Sequence, residues 1–160
     1  MLSVAIVLGS AHDAPHVKGA ADTLRSLGIP FAARVLSAHR TPGEAAAFAA
    51  GAAEAGFGVL IAAAGMSAAL AGTLAAHTTL PVIGLPLAGA AFGGMDSLLS
   101  TVQMPPGIPV AAVAVGGAEN AALLAAGILS LSDPALAAHL AERRKARRDA
   151  VLEADRAIRL

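Results

Sequence analysis

The chain alternates short, wholly apolar runs with segments whose apolar positions recur three and four apart, and Gly or Pro punctuates nearly every change. Ser3–Leu8 (SVAIVL) stops at Gly9. A continuous apolar run of that length predicts a strand buried on both faces, as in a parallel sheet. Residues 14–27 follow, with Val17, Ala20, Ala21, Leu24 and Leu27 on one helical face; Gly28 ends the pattern and Pro30 blocks its continuation. Residues 31–36 form the second strand, and residues 42–55 a helix that Pro42 opens and Gly56 stops. Phe57–Ala64 is the third strand, residues 68–76 a short helix, and residues 81–85 the fourth strand, with Pro81 tolerated at its first position. Residues 86–109 are irregular and rich in Gly and Pro, with room for a turn or two of helix over Met95–Val102. Residues 108–115 are the fifth strand and residues 120–131 a helix. Ser132 or Asp133 caps a last helix, with Pro134 in its first turn, and this helix runs towards Asp155.

Strands that alternate with helices throughout predict an α/β fold with a parallel sheet. Five strands suggest a three-layer, flavodoxin-like, doubly wound arrangement with an extra C-terminal helix. No internal repeat or linker interrupts the chain, so residues 1–160 are expected to form one domain.

Composition then narrows the functional classes. The formal net charge is zero and only 2% of residues are aromatic, with no Trp or Tyr. Neither a basic nucleic-acid surface nor a base-stacking platform fits that balance. The absence of Cys removes disulfides, thiolate catalysis and Cys-based metal sites. No basic stretch precedes the first apolar run, so no signal peptide is expected and the cytoplasm is the default location.

No Lys or Arg lies between Arg40 and Arg143, and the acidic residues up to Asp133 are few: Glu44, Glu54, Asp96, Glu119 and Asp133. A hydropathy scan could take residues 55–76 for a membrane span. Gly56, Gly58, Gly65 and Gly72 divide that stretch, which fits a strand, a turn and an Ala-rich helix instead. So little charge on a small domain predicts that apolar surface is covered by further copies of the chain. The basic residues of the last helix, Arg143 to Arg148, suit a solvated face, with Leu136, Leu140 and Val151 expected to pack on another subunit.

Candidate chemistry gathers where strands end. Ser37-Ala38-His39-Arg40-Thr41-Pro42 sets a hydroxyl, an imidazole and a guanidinium side by side in a strand-to-helix turn. Open α/β sheets hold ligands at the carboxyl ends of their strands. An imidazole there can move a proton near neutral pH, and an Arg can fix an anion with a fork of donors. The turn from Gly9 to Asp13 offers Ser10 and the N–H groups of a helix start, a combination that suits phosphate and equally suits an ordinary turn. Asp13 reads either as an N-cap or as a carboxylate accepting from ribose hydroxyls. The turn from Gly65 to Gly72 opens on the same edge.

Of five dispersed His, His39 is the one placed for catalysis. His12 and His16 are expected to decorate the first helix, His77 to cap the third, and His139 to face solvent. Five His dispersed along the chain give little support for a metal site. There is no P-loop and no Gly-x-Gly-x-x-Gly turn, and Gly65-Met66-Ser67-Ala68-Ala69 lacks the final Gly of a nucleophile elbow.

Gly9-Ser10-x-x-Asp13, Ser37-Ala38-His39-Arg40-Thr41-Pro42, the run from Asp96 to Pro109 with its Gln103-Met104-Pro105, and Asn120 to Ala126 together resemble the PurE family. These are the N5-carboxyaminoimidazole ribonucleotide mutases of purine biosynthesis, and the likeness spans nearly the whole chain. It implies a flavodoxin-like subunit of a cytoplasmic homo-octamer, with the helix over about residues 133–156 reaching a neighbour. It implies a reaction without metal or other cofactor, with no nucleic-acid or membrane partner. In that reaction a carboxylate moves from nitrogen to ring carbon 4 of a ribonucleotide through captured carbon dioxide. By the same likeness His39 is catalytic, Ser10, Ser37 and Arg40 match the phosphate site, and Asp13 matches the ribose site. Ala38, Gly65 and Leu70 fall where the base pocket is lined.

One stretch departs from the family. Mutases usually read Gly-Gly-x-Ala-His-Leu-Pro-Gly where this chain has Gly65-Met66-Ser67-Ala68-Ala69-Leu70-Ala71-Gly72, so Ala69 stands in place of a second histidine. Ser67 and the missing imidazole lean towards the related carboxylases, which fix free carbon dioxide on aminoimidazole ribonucleotide. Arg40 and Gln103-Met104-Pro105 lean towards the mutases. A nucleotide-binding homologue impaired in catalysis is the third reading.

Overall fold

The computed structural model describes residues 2–89 and 91–159. Met1, which heads the N-terminal run, and Ala90, inside the irregular stretch 86–109, lie outside them. Five strands form the sheet: β1 (Ser3–Leu8), β2 (Phe31–Val35), β3 (Phe57–Ala64), β4 (Val82–Pro86) and β5 (Ala111–Ala112). All pairs are parallel and the order is β2-β1-β3-β4-β5. That order is flavodoxin-like, with its topological switch between β1 and β3. The helices are α1 (Lys18–Ser26), α2 (Pro42–Gly51), α3 (Leu70–Ala75), α4 (Met95–Val102), α5 (Ala118–Leu129) and α6 (Pro134–Ala157).

Strand periodicity explains the three layers. Side chains alternate across a sheet, so Val4, Ile6, Val59 and Ile61 join Leu24 of α1 and the Ala-rich face of α5 in one buried cluster. Ala5, Val7, Leu60 and Ala62 join α2 and α3 in the other. Both faces of β1 and β3 are therefore covered, which is why, Ser3 at the start of β1 apart, they carry no polar side chain. At the edge, Ala33, Arg34 and Val35 of β2 are exposed, and the Arg34 guanidinium lies 5.4 Å from the centre of the Phe48 ring. Close packing also explains a glycine in β4: a Cβ on Gly84 would meet Thr101 Cγ2 at 2.2 Å, so its absence lets α4 seat against the strand.

Several elements differ from expectation, among them α2, which ends at Gly51 and not at Ala55. The first helix is a 3-10 segment over Ala11–Val17, capped by Ser10 rather than Asp13, and becomes α-helical only at Lys18. Pro15 inside it can donate to neither kind of ladder, and in an α-helix its ring would clash with the carbonyl of Ala11 four residues back. The helix expected from Ala68 begins at Leu70, because Ala68 N–H and Ala69 N–H bond to Met66 O and Ser67 O in tight turns. The fifth strand keeps only two residues, since Pro109 cannot donate before it and Gly116 turns away after it at φ 70°. Leu136, expected on another subunit, is buried in this chain's own core beside α5, and Leu140 packs half-buried against the same cluster, whereas Val151 is 68% exposed. Asp133 is the cap of α6, its Oδ1 accepting from Leu136 N–H at 3.0 Å. Arg143 and Arg147 both donate to Glu119 and lash the helix to α5. Among the described residues, no helix is long and apolar enough to cross a membrane, and residues 55–76 divide into β3, a loop and α3.

Candidate active site

The carboxyl ends of β1, β2, β3 and β4 open on one edge of the sheet, around a cavity of about 610 Å³. Ser10, Asp13, Ser37, Ala38, His39, Arg40, Gly65 and Leu70 all line it, so every residue singled out in the sequence meets there.

The turn after β2 is built by its own hydroxyls. Ser37 N–H donates to Thr41 Oγ1 at 2.8 Å, and Thr41 Oγ1 and N–H both donate to Ser37 O, at 3.2 and 2.9 Å. Ser37 Oγ accepts from Arg40 N–H at 3.1 Å, and Arg40 Nε lies 3.4 Å from the same oxygen. The guanidinium then crosses to the first turn, where Nη2 donates to Gly9 O at 3.0 Å. Two loops distant in sequence are thus pinned together, and the guanidinium arrives beside Ser10 with its other N–H groups available to an anion. A Cβ on Gly9 would lie 3.8 Å from Asp13 Oδ2, which puts that carboxylate over the floor of the same turn. His39 is exposed on the cavity wall and, among the described residues, its ring has no hydrogen-bond partner.

The loop after β3 supplies the opposite wall. Met66 holds φ at 55°, the one non-glycine residue described with a left-handed backbone, and its side chain is 72% exposed. Ser67, Ala68 and Ala69 complete that wall, so the position without the expected imidazole borders the cavity directly. A fourth loop, Leu87-Ala88-Gly89 after β4, also contributes. It is held by Ser97, a buried residue whose hydroxyl donates to Leu87 O at 2.7 Å. The strand-end rule that found the other three loops covers this one too, but its residues bear no chemistry that draws attention in the sequence.

Among the remaining histidines, His77 Nδ1 lies 2.8 Å from Thr73 O at the end of α3, and His139 is exposed. His12 Nδ1 lies 3.2 Å from Ser10 Oγ. His16 does not simply decorate a helix: it lines the cavity. Among the described residues, no three His, Asp or Glu side chains are grouped as metal ligands would be.

Comparison with known proteins bears on the same residues. The family model described as AIR carboxylase matches residues 3–150. The chain is 56% identical over 154 residues to the N5-carboxyaminoimidazole ribonucleotide mutase of Brucella melitensis, covering 95% of each. It is 51% identical over 152 residues to the enzyme of that name from Bacillus subtilis, covering 94% of each. Its structure is similar to the crystal structure of Treponema denticola PurE, with a TM-score of 0.89, 32% identity and 98% of each chain covered.

Proposed function

This chain belongs to the AIR carboxylase family, and on that premise we propose that it is an N5-carboxyaminoimidazole ribonucleotide mutase of purine biosynthesis. It moves a carboxylate from the exocyclic nitrogen to ring carbon 4. The observation that carries this reading is the 56% identity to a named mutase along 95% of both chains. The cavity supports it by gathering an imidazole, a guanidinium and a carboxylate at the strand ends.

The chemistry assigns roles to these groups. The carboxylate leaves nitrogen as carbon dioxide, and a proton goes to that nitrogen. Ring carbon 4 then attacks the carbon dioxide, and the hydrogen on that carbon departs as a proton. One proton is given and one taken, so a single imidazole can serve as acid, then as base, and return to its starting form. We assign that task to His39. Arg40, Ser37 and Ser10 hold the phosphate, Asp13 the ribose, and Ala38, Gly65 and Leu70 the base. The walls keep carbon dioxide beside the ring until the new bond forms. No step requires a metal or an organic cofactor, and a cytoplasmic location suits a soluble ribonucleotide.

Ala69 gives the carboxylase reading its one specific support, since a mutase-like second imidazole is missing from the cavity wall. Purified protein separates the two. We expect turnover of the carbamate ribonucleotide to 4-carboxyaminoimidazole ribonucleotide at a rate well above that from aminoimidazole ribonucleotide with bicarbonate. The reverse preference would make the chain a carboxylase, and turnover of neither would make it an impaired homologue.

We also propose assembly into a homo-octamer. Phe92 just before α4 and Met95, Leu99 and Val102 along it leave an apolar stripe about half exposed or more, and Val151 near the end of α6 and Ile158 just beyond it are exposed likewise. Stripes of this kind are costly in water and are ordinarily buried against a partner. A solution mass of one 15.6 kDa subunit, in place of a large multiple of it, would refute assembly.

A further inference from the structure

We infer that His16 is a substrate-binding residue of this cavity, its imidazole joining Asp13 to hold the ribose hydroxyls of the ribonucleotide. The inference rests on the function proposed above and adds a residue to that site.

Helix type puts His16 there. A 3-10 helix has three residues per turn, so side chains at i and i+3 stand one above the other. Ser10 caps the segment Ala11–Val17, so Ser10, Asp13 and His16 form a single row along it. All three line the cavity, whereas Ala11, His12, Ala14 and Pro15, on the other sides of the helix, do not. At the roughly 100° per residue of an α-helix, His16 would stand about 120° around the axis from Ser10 and leave the row. The ring of Pro15 would clash with the carbonyl of Ala11 in an α-helix, which favours the tighter winding and so keeps the imidazole facing the cavity.

The chemistry of the row fits a ribose. Each ribose hydroxyl both donates and accepts, while a carboxylate only accepts. Asp13 alone would leave the hydroxyl oxygens without a donor from this wall. An imidazole N–H one turn further along, about 6 Å on by the 3-10 rise, supplies one. His16 is exposed and among the described residues has no hydrogen-bond partner, so its ring is not committed to holding the fold.

The test measures binding of 4-carboxyaminoimidazole ribonucleotide and of its 2′-deoxy analogue to the full chain by calorimetry, with melting temperature and turnover recorded in parallel. For His16→Leu we expect the ribonucleotide Kd to rise about three- to tenfold, the worth of one hydrogen bond. The melting temperature should stay put and kcat should fall less than twofold. The preference for the ribonucleotide over the deoxy analogue should shrink by a similar factor, and His16→Asn, which retains a donor, should recover part of it. An unchanged Kd in His16→Leu overturns the assignment, as does a weaker Kd with the deoxy preference intact. If the parent binds the ribonucleotide without turning it over, the function reading fails while the His16 result still stands on its binding data. A parent that does not bind it at all ends both.

Discussion

Replacing His39 with Asn should lower kcat by about a hundred- to ten-thousandfold, the usual worth of general acid–base catalysis, while ribonucleotide binding stays within about threefold of the parent, less than one hydrogen bond is worth. Asn keeps much of the size of the ring and a hydrogen-bond donor, but it cannot carry a proton between the exocyclic nitrogen and ring carbon 4. Folding should be untouched, because His39 is exposed and the turn that carries it is closed by Ser37, Arg40 and Thr41. Ala69 makes the expected loss large: the facing wall offers no second imidazole. His16 lies in the same cavity but in the row of Ser10 and Asp13, on the ribose side of the proposed ligand. Single-turnover kinetics on the carbamate substrate would measure the effect. If the variant keeps more than a tenth of the parent rate, the proton is moved by another group and His39 is only a wall of the pocket.

The parts of this molecule that were legible in the sequence are those where one period dominates. Beyond Ser3, β1 and β3 carry no polar side chain because helices cover both faces, and their limits coincide with those read from SVAIVL and FGVLIAAA. The parallel pairing of the sheet follows from the alternation of strands with helices, and the strand-end rule together with the family resemblance points to eight residues of three chain segments that line one cavity. What escaped notice depends on local winding or on contacts across the sequence. The apolar positions of residues 14–27 fit an α-helical period, and that period hides the row of Ser10, Asp13 and His16 which a 3-10 segment creates. Pro15 was the available signal. The burial of Leu136 in this chain's own core is likewise hidden, because the basic helix carrying it reads as a solvated arm. The double contact of Glu119 with Arg143 and Arg147 folds its first half back on α5, and no spacing rule anticipates a contact between residues so far apart in the chain. The brevity of β5 reflects competition between apolar character, which favoured a long strand, and Pro109, which removes a ladder donor at its start.

Arg40→Ala is the change expected to act on binding. Two roles meet in this guanidinium. It ties the first two loops through Gly9 O and Ser37 Oγ, and in the proposed function it holds the phosphate beside Ser10. Hydrogen bonds to charged groups are worth about 1.5–3 kcal/mol each, so losing the phosphate contact should weaken ribonucleotide binding about ten- to a hundredfold. The side chain is exposed, which places the effect at the lower end in high salt, where screening weakens such contacts. Arg40→Lys should recover only part of the loss, because an ammonium keeps the charge but not the planar fork that spans Gly9 and the ligand. The two roles separate when the ligand is varied. If phosphate recognition dominates, binding of the matching nucleoside, which has no phosphate, should be nearly the same in Arg40→Ala and the parent. Equal weakening for nucleotide and nucleoside would mean that Arg40 acts by holding the Gly9 turn in place. Unchanged nucleotide affinity would remove it from the site altogether, and with it the reason for placing the phosphate between the first two loops.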